Sequence, residues 1–405
     1  MKRVYAAVLL SGFIGAGVVA GVRAASAPQV KLVPPPAGPG SGMYNLSAGP
    51  DGTPHLVWLE PLANGVHALK FARLDGGTWS EAREIAHSDN WFVNWADHPT
   101  QAVLPNGTLV AHWLANNGDK KGGYGYGFRI AMSNDGGRRW HEVYAGGTDN
   151  TEGYSGFVSL LPSASGFEAV FLGPLQSHAA ASDDHEHTMT LGALRFDLNG
   201  KLLGTAVADA NTCSCCSTSI VQTSSGPLAA YRDRADGESR DISVVRLQQG
   251  KWTAPRNVHN DGWMINACPT NGPALASNGS RIAMSWFTGA GGVPRVKVAF
   301  SSDAGDRFGA PTVIDEGRPV GWPATVLLED GSAVVSWLES RGGGRGELLM
   351  RRVSPAGKAG APVVIAEASA GRSTGIPQMI RVRDSLLVAW RTDRVQTATV
   401  PVPGY

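Results

Sequence analysis

Short apolar runs, punctuated by polar glycine-containing turns, recur along the chain, and seven of them close on an aromatic residue: Trp58, Trp113, Phe171, Tyr231, Trp286, Trp337 and Trp390. The successive intervals of 55, 58, 60, 55, 51 and 53 residues mark one supersecondary unit repeated and stacked on its neighbours. Each unit opens with a strand that ends in a tight turn: Asp51-Gly52, Asn106-Gly107, Ser165-Gly166, Ser225-Gly226, Asn278-Gly279 and Asp330-Gly331, with Arg383-Asp384-Ser385 as the exception. These dipeptides supply the positive φ that tight hairpins need. A second strand runs to the aromatic, a variable loop follows, then a third strand such as Val296 to Phe300, a turn and a short fourth strand. Four antiparallel strands per unit predict an all-β propeller of seven blades. The seventh runs out after Val400 and is expected to borrow its outer strand from Val30 to Val33. A ring of six blades with one unit docked outside it is the alternative.

Composition agrees with this reading. The 405 residues include 52 Gly, 25 Pro and 12 Trp, and only 17% are charged, the turn-rich and aromatic make-up of an all-β chain long enough to bury a large core. A net charge of +1, with neither sign dominating a long segment, argues against a nucleic-acid or acidic-membrane partner held by bulk electrostatics. The first 27 residues read as a secretory signal: Lys2 and Arg3, an apolar stretch from Val4 to Val22, then small residues up to Ala27. Residues 28–42 form a Pro/Gly-rich spacer with the possible closing strand, and residues 43–405 a single propeller domain. The chain is therefore expected to be exported, periplasmic or secreted, and monomeric, with no stable membrane span once the signal is removed.

Blade topology sorts the polar residues. Loops from second to third strand, and loops entering the next blade, share one face. On that face fall Trp91, Trp95 and Asp97, Glu152 and Tyr154, His178, His185 and His187, the cysteines, Arg232 and Arg234, Trp263, Glu339 and Arg341, and Arg391. Such concentration of chemistry at one mouth of a central channel suits a binding or catalytic site. Cys213, Cys215 and Cys216 precede the first strand of blade 4, and Cys268 that of blade 5. The two segments are expected to be neighbours, with a disulfide from the triplet to Cys268 as the default in an oxidising compartment. Three full pairings are open, one of which leaves a strained vicinal pair.

The turns on the opposite face carry a family signature. Ser133-Asn134-Asp135-Gly136-Gly137-Arg138-Arg139-Trp140 and Ser301-Ser302-Asp303-Ala304-Gly305-Asp306-Arg307-Phe308 both fit the Ser-x-Asp-x-Gly-x-x-aromatic Asp box, with weaker echoes at Asp75 to Trp79 and Gln249 to Trp252. In this box the Asp caps backbone amides, Gly permits the bend and the aromatic packs between blades. The chain thus resembles the sialidase-like propellers with bacterial neuraminidase repeats, and more closely an exported bacterial group with Cys-x-Cys-Cys in one blade and Ala-Cys-Pro in the next. That resemblance implies glycan-directed function. True sialidases join an arginine triad, a Tyr nucleophile polarised by Glu, and an Asp acid/base. The candidates here are Arg232, Arg234 and Arg391 with Tyr231, Asp97 and Glu152. The family's early Arg-Ile-Pro signature is missing; Arg129-Ile130-Ala131 and Arg281-Ile282-Ala283 are the nearest matches. Under the competing reading the arginines are self-neutralising rim pairs and Tyr231 is merely the aromatic of blade 4.

Two other functions use the same face. Trp91, Trp95 and Trp263, with Glu339 and Arg341, could form a non-catalytic platform for a glycan, small molecule or peptide. His178, His185 and His187, or the thiols, could ligate copper or zinc, although the glycosidase chemistry itself requires no cofactor.

Overall fold

The computed structural model describes Met1 and residues 29–117, 125–146, 154–174 and 189–405. The signal segment, Glu152 and the His178, His185 and His187 loop lie outside these. Seven antiparallel sheets follow one another along the chain, so the ring has seven blades and not six. Blade 1 comprises Gly42–Ala48, Pro54–Pro61 and His67–Asp75, with Thr78–Trp79 and Arg83–Ser88 outside. Blade 2 spans 100–146, blade 3 156–212, blade 4 219–257, blade 5 274–313 and blade 6 319–369. Blade 7 has Gln378–Val382, Ser385–Arg391 and Val395–Pro401 and takes Lys31–Leu32 as its outer strand, Lys31 opposite Thr399 and Leu32 opposite Ala398. The N-terminal spacer thus closes the ring as the sequence predicts.

All seven aromatics fall in second strands. There they lie between sheets, where alternating strand faces must both be covered; Trp58, Tyr231 and Trp337 are fully buried. Where a loop returns over the blade, the indole is also held. Trp58 Nε1 donates to Glu60 (3.1 Å) while Glu60 accepts Gly38 N (2.9 Å), and Trp337 Nε1 donates to Glu339 (2.7 Å).

The two Asp boxes sit at equivalent turns and join adjacent blades. Asp135 Oδ1 accepts from Ser133 Oγ (2.9 Å) and from the amides of Arg138 and Arg139 (2.9 and 3.0 Å). Asp303 Oδ1 repeats this with Ser301 Oγ (2.7 Å) and Arg307 N (2.9 Å), and these bonds hold its carboxyl down at about 2. Arginines from the preceding blade donate to the boxes: Arg83 Nη1 to Gly136 O (2.6 Å) in the first, and Arg246 and Arg256 to the carbonyls of Ala304 and Gly305 (2.5 Å each) in the second. Gly137 lies so close to blade 1 that a Cβ there would stand 2.2 Å from the Phe71 ring, at a φ of +83°. Only glycine tolerates both conditions.

Candidate functional site

First-strand starts of all seven blades surround an axial cavity of about 310 Å³, lined among others by Asn45, Asp97, Phe157, Ser217, Trp322 and Gln378. Among the described residues Asp97 carries the only carboxyl group in that lining. It is 2% exposed. Its Oδ1 accepts the Phe157 amide (2.8 Å) and its Oδ2 the Tyr126 hydroxyl (3.2 Å). Burial pushes the carboxyl from its ordinary value near 3.8 up to about 7, against the pull of those two donors. Desolvation penalises the anion and outweighs two hydrogen bonds here.

A repeated backbone device places Asp97. Phe157 has φ 53° and follows Gly156, whose missing side chain leaves room for the carboxyl; a Cβ there would stand 1.9 Å from Asp97 Oδ2. Blade 6 begins identically. Trp322 has φ 52°, follows Gly321, and donates its amide to Asn271 Oδ1 at 2.6 Å. Asn271 thus does for blades 5 and 6 what Asp97 does for blades 2 and 3. Both devices open their first strand with a register shift and hold a non-glycine residue in the left-handed region, a costly conformation that the clamp fixes.

Aromatics connect the acid to the thiols. Phe92 stacks on Tyr126 (centroids 3.9 Å) and Tyr126 on Tyr154 (5.2 Å), and the Tyr154 hydroxyl donates to Ser214 O at 2.6 Å. At the mouth Trp95, on the loop into blade 2, stands edge-on to Trp322 of blade 6 at 5.3 Å, with the Arg372 guanidinium 5.4 Å from its ring centroid. Blades 2 and 6 face each other across the ring, so this pair spans the mouth.

The cysteine segments are neighbours, as the topology requires. Gly272 allows it, because a Cβ there would stand 2.0 Å from Ser217 O. The expected disulfide is not formed: all four stand as free thiols. Cys213 Sγ lies 3.6 Å from Cys216 Sγ and 3.9 Å from Cys215 Sγ, and all three are buried. Cys268 is exposed and 3.9 Å from Ser214 Oγ. Hydrogen bonds from Cys215 and Cys216, with Arg232 nearby, pull the Cys213 thiol well down. Burial pushes Cys216 up, and the Cys215 thiol brings Cys268 to about 7.

The predicted cationic fork does not assemble. Arg232 is 1% exposed. Its donors go to Asn271 O (3.0 and 2.8 Å), Arg240 O (2.5 Å) and Phe287 O (2.7 Å). Trp263, itself buried, covers that guanidinium at 4.7 Å and offers no stacking platform. Arg234 pairs with Glu238 at 2.6 Å. Arg391, three blades away, donates to Ser41 O (2.9 Å) and Ser373 O (3.1 Å). Tyr231 lies fully buried within its blade and donates to Asp209 Oδ2 at 2.5 Å, with its hydroxyl pushed up by burial, which does not suit a nucleophile. Glu339 is 0% exposed and clamps the amides of Glu316 and Arg318 (3.2 and 2.5 Å). Trp91 packs on Trp113 at 5.8 Å. Arg341 keeps its place at the rim, paired with Glu347 at 2.7 Å. Trp322 and Asn271 are the site residues that sequence reading misses. The Gly-aromatic step at Gly156-Phe157 and Gly321-Trp322, each in the opening residues of a first strand, is the signal that could have found them.

No family model and no curated protein matches the chain. Among solved structures it is similar to a protein of unknown function from Dyadobacter fermentans, at 14% identity and TM-score 0.51, over 94% of this chain and 100% of that one. It is also similar to a Hadza microbial sialidase, at 10% identity and TM-score 0.50, over 84% and 74%. A third likeness is the α-L-arabinofuranosidase of Fusarium graminearum with an iminosugar inhibitor, at 15% identity and TM-score 0.49, over 92% and 97%. At such identities the likeness shows the fold alone, a β-propeller.

Proposed function

We propose that this protein is an exported, glycan-directed propeller that takes an uncharged sugar at the channel mouth and acts on it through the Asp97 carboxyl. One observation carries this reading. Asn271 does the same backbone work as Asp97 without an ionisable group, so the clamp alone does not call for an acid there. A carboxyl held near 7 is suited to proton transfer at neutral pH. The cavity of about 310 Å³ is at the small end of ligand pockets and suits one sugar ring, with Trp95 and Trp322 beside it. Kinship of fold with a sialidase supports a glycan ligand. The buried Arg232 and the paired Arg234 favour a neutral sugar over a sialoside, because neither offers a free guanidinium to a substrate carboxylate. Glycoside hydrolysis ordinarily uses two carboxyl groups, and Glu152, two residues before Tyr154, is the proposed partner.

The test is turnover and binding across a panel of neutral and sialylated chromogenic glycosides. Asp97 acts protonated, so kcat/KM is expected to fall as pH rises through about 7. Asp97→Asn is expected to lower it by roughly a hundredfold or more while leaving the fold intact, since Asn271 shows that an amide serves the clamp. Unchanged turnover and binding in the Asn variant would remove Asp97 from the function; failure of every glycan to bind would end the glycan reading.

A further inference from the structure

The four cysteines have no part in the glycan reading, yet they are gathered more closely than packing requires. Cys213, Cys215 and Cys216 place three buried sulfurs within 4.8 Å of one another. Two of those separations are 3.6 and 3.9 Å. A disulfide needs about 2.05 Å between sulfurs, so neither pair is in a bridge. Four thiolates at about 2.3 Å from a tetrahedral metal lie roughly 3.8 Å apart, which falls between those two separations. A fourth donor is at hand: Cys268, exposed and from the next blade, stands 3.9 Å from Ser214 Oγ, outside the triplet's 4.8 Å group, and swings toward it to complete the site. Positive charge stands close to the thiolates as well: Arg232 lies beside Cys213, and so does Arg240, whose guanidinium also pairs with Glu238. The surroundings are Ala96, Phe157, Tyr154 and the blade interior, a dry shell that keeps water and chelators from three of the four sulfurs.

We propose that Cys213, Cys215, Cys216 and Cys268 form a binding site for one thiophilic d10 cation, zinc(II) or copper(I), that ties the entry of blade 4 to the entry of blade 5. Soft thiolate donors select these ions over calcium, magnesium or manganese. Each thiol gives its proton to solvent as its sulfur binds, and no electron is transferred. Cys268 is the exposed corner, through which the ion enters and leaves. In an oxidising compartment the bound ion also keeps the triplet from oxidation, because a coordinated thiolate is not free to attack a disulfide.

Elemental analysis of the full chain, purified without chelator, is expected to find on the order of one zinc or copper per molecule. Titration of the reduced, folded chain with zinc(II) and, anaerobically, with copper(I) tells the two ions apart. Cobalt(II) in place of zinc should give the visible bands of a tetrahedral thiolate site. Cys213→Ser with Cys216→Ser should abolish the bound metal. Because that double variant removes buried groups, Cys268→Ser at the exposed corner gives a second reading, and is expected to retain the fold while losing the four-sulfur cobalt spectrum and binding more weakly. Peptide mapping that finds Cys213 in a disulfide in the metal-free secreted protein would overturn the proposal. So would failure of the reduced, folded chain to bind zinc(II), cobalt(II) and copper(I).

Discussion

Asp97, on the loop into blade 2, and His112, on that blade's second strand, pull the stability of the protein in opposite directions with pH. His112 is fully buried and accepts through Nδ1 from Thr100 N (2.9 Å) and Oγ1 (2.8 Å), and burial holds it at about 3, below its ordinary 6.5. A depressed folded value means stability that is present above pH 6.5 and is lost as pH falls. Asp97 is the reverse case. Its folded value of about 7 exceeds the ordinary 3.8, so the folded state binds the extra proton between those two pH values. The stability it contributes is complete below 3.8 and is lost as pH rises through about 7. The span corresponds to on the order of 4 kcal/mol. Asp97→Asn should therefore flatten the decline between about pH 4 and 7 and be the more stable protein at pH 8, read by denaturant midpoints across that range. An equally steep decline in the variant would assign the slope to other groups. The residue type of Asp97 was legible in the sequence, as were its face and its place beside Trp95. Its partner amide was not, because the Gly-Phe step that makes the clamp looks like an ordinary strand start until the φ of Phe157 is known.

At the scale of single elements, the loops that enter the blades do more structural work than their composition announces. Arg232-Asp233-Arg234 reads in the sequence as a charged rim, since nothing local distinguishes a substrate-gripping arginine from one that holds backbone. Its partners Asn271 and Phe287 lie 39 and 55 residues away, beyond the reach of any periodicity. Removing this side chain strands several buried carbonyls, each costing about 1–3 kcal/mol when left without a donor. Arg232→Met is thus expected to destabilise the protein by roughly 3 kcal/mol or more. Arg391→Met, at a half-exposed position with two carbonyl partners, should cost under about 1 kcal/mol. Arg232→Lys should rescue little, because an ammonium cannot serve three carbonyl directions from one planar fork. Chemical denaturation of the three variants separates these cases. Equal small losses for Arg232→Met and Arg391→Met would mean that the buried guanidinium does not organise the junction of blades 4 and 5. The same logic corrects the aromatics. Trp263 reads as a platform but serves as a lid on Arg232, whereas Trp322, which sequence reading misses, stands at the mouth.

Over the whole molecule the sequence is most informative, because repetition averages out local ambiguity: seven aromatics at near-equal spacing determine the blade number, and the want of a last strand points to the N-terminal spacer. Closure rests on few residues. Lys31 and Leu32 pair with Thr399 and Ala398, Val33 N donates to Thr397 O at 2.9 Å, and the Thr397 hydroxyl bonds to Val33 O. Trp79 of blade 1 completes the junction, donating Nε1 to Val33 O (3.1 Å) and to Thr397 Oγ1 (3.0 Å). Ring strain does not hold this seam; backbone bonds and one indole do. A chain beginning at Pro35 would leave the Val395–Pro401 strand as an open edge, with the Trp79 indole keeping one acceptor of two. An exposed edge invites pairing with another copy. The truncated chain is expected to melt earlier, since an end blade freed from closure frays first in a repeat array, and to associate in a concentration-dependent way. Calorimetry at two protein concentrations, together with hydrogen exchange of Val395 to Val400, checks this. Unchanged melting and protection would show that seven blades cohere through their inner packing alone, and that the borrowed strand contributes nothing to closing the ring.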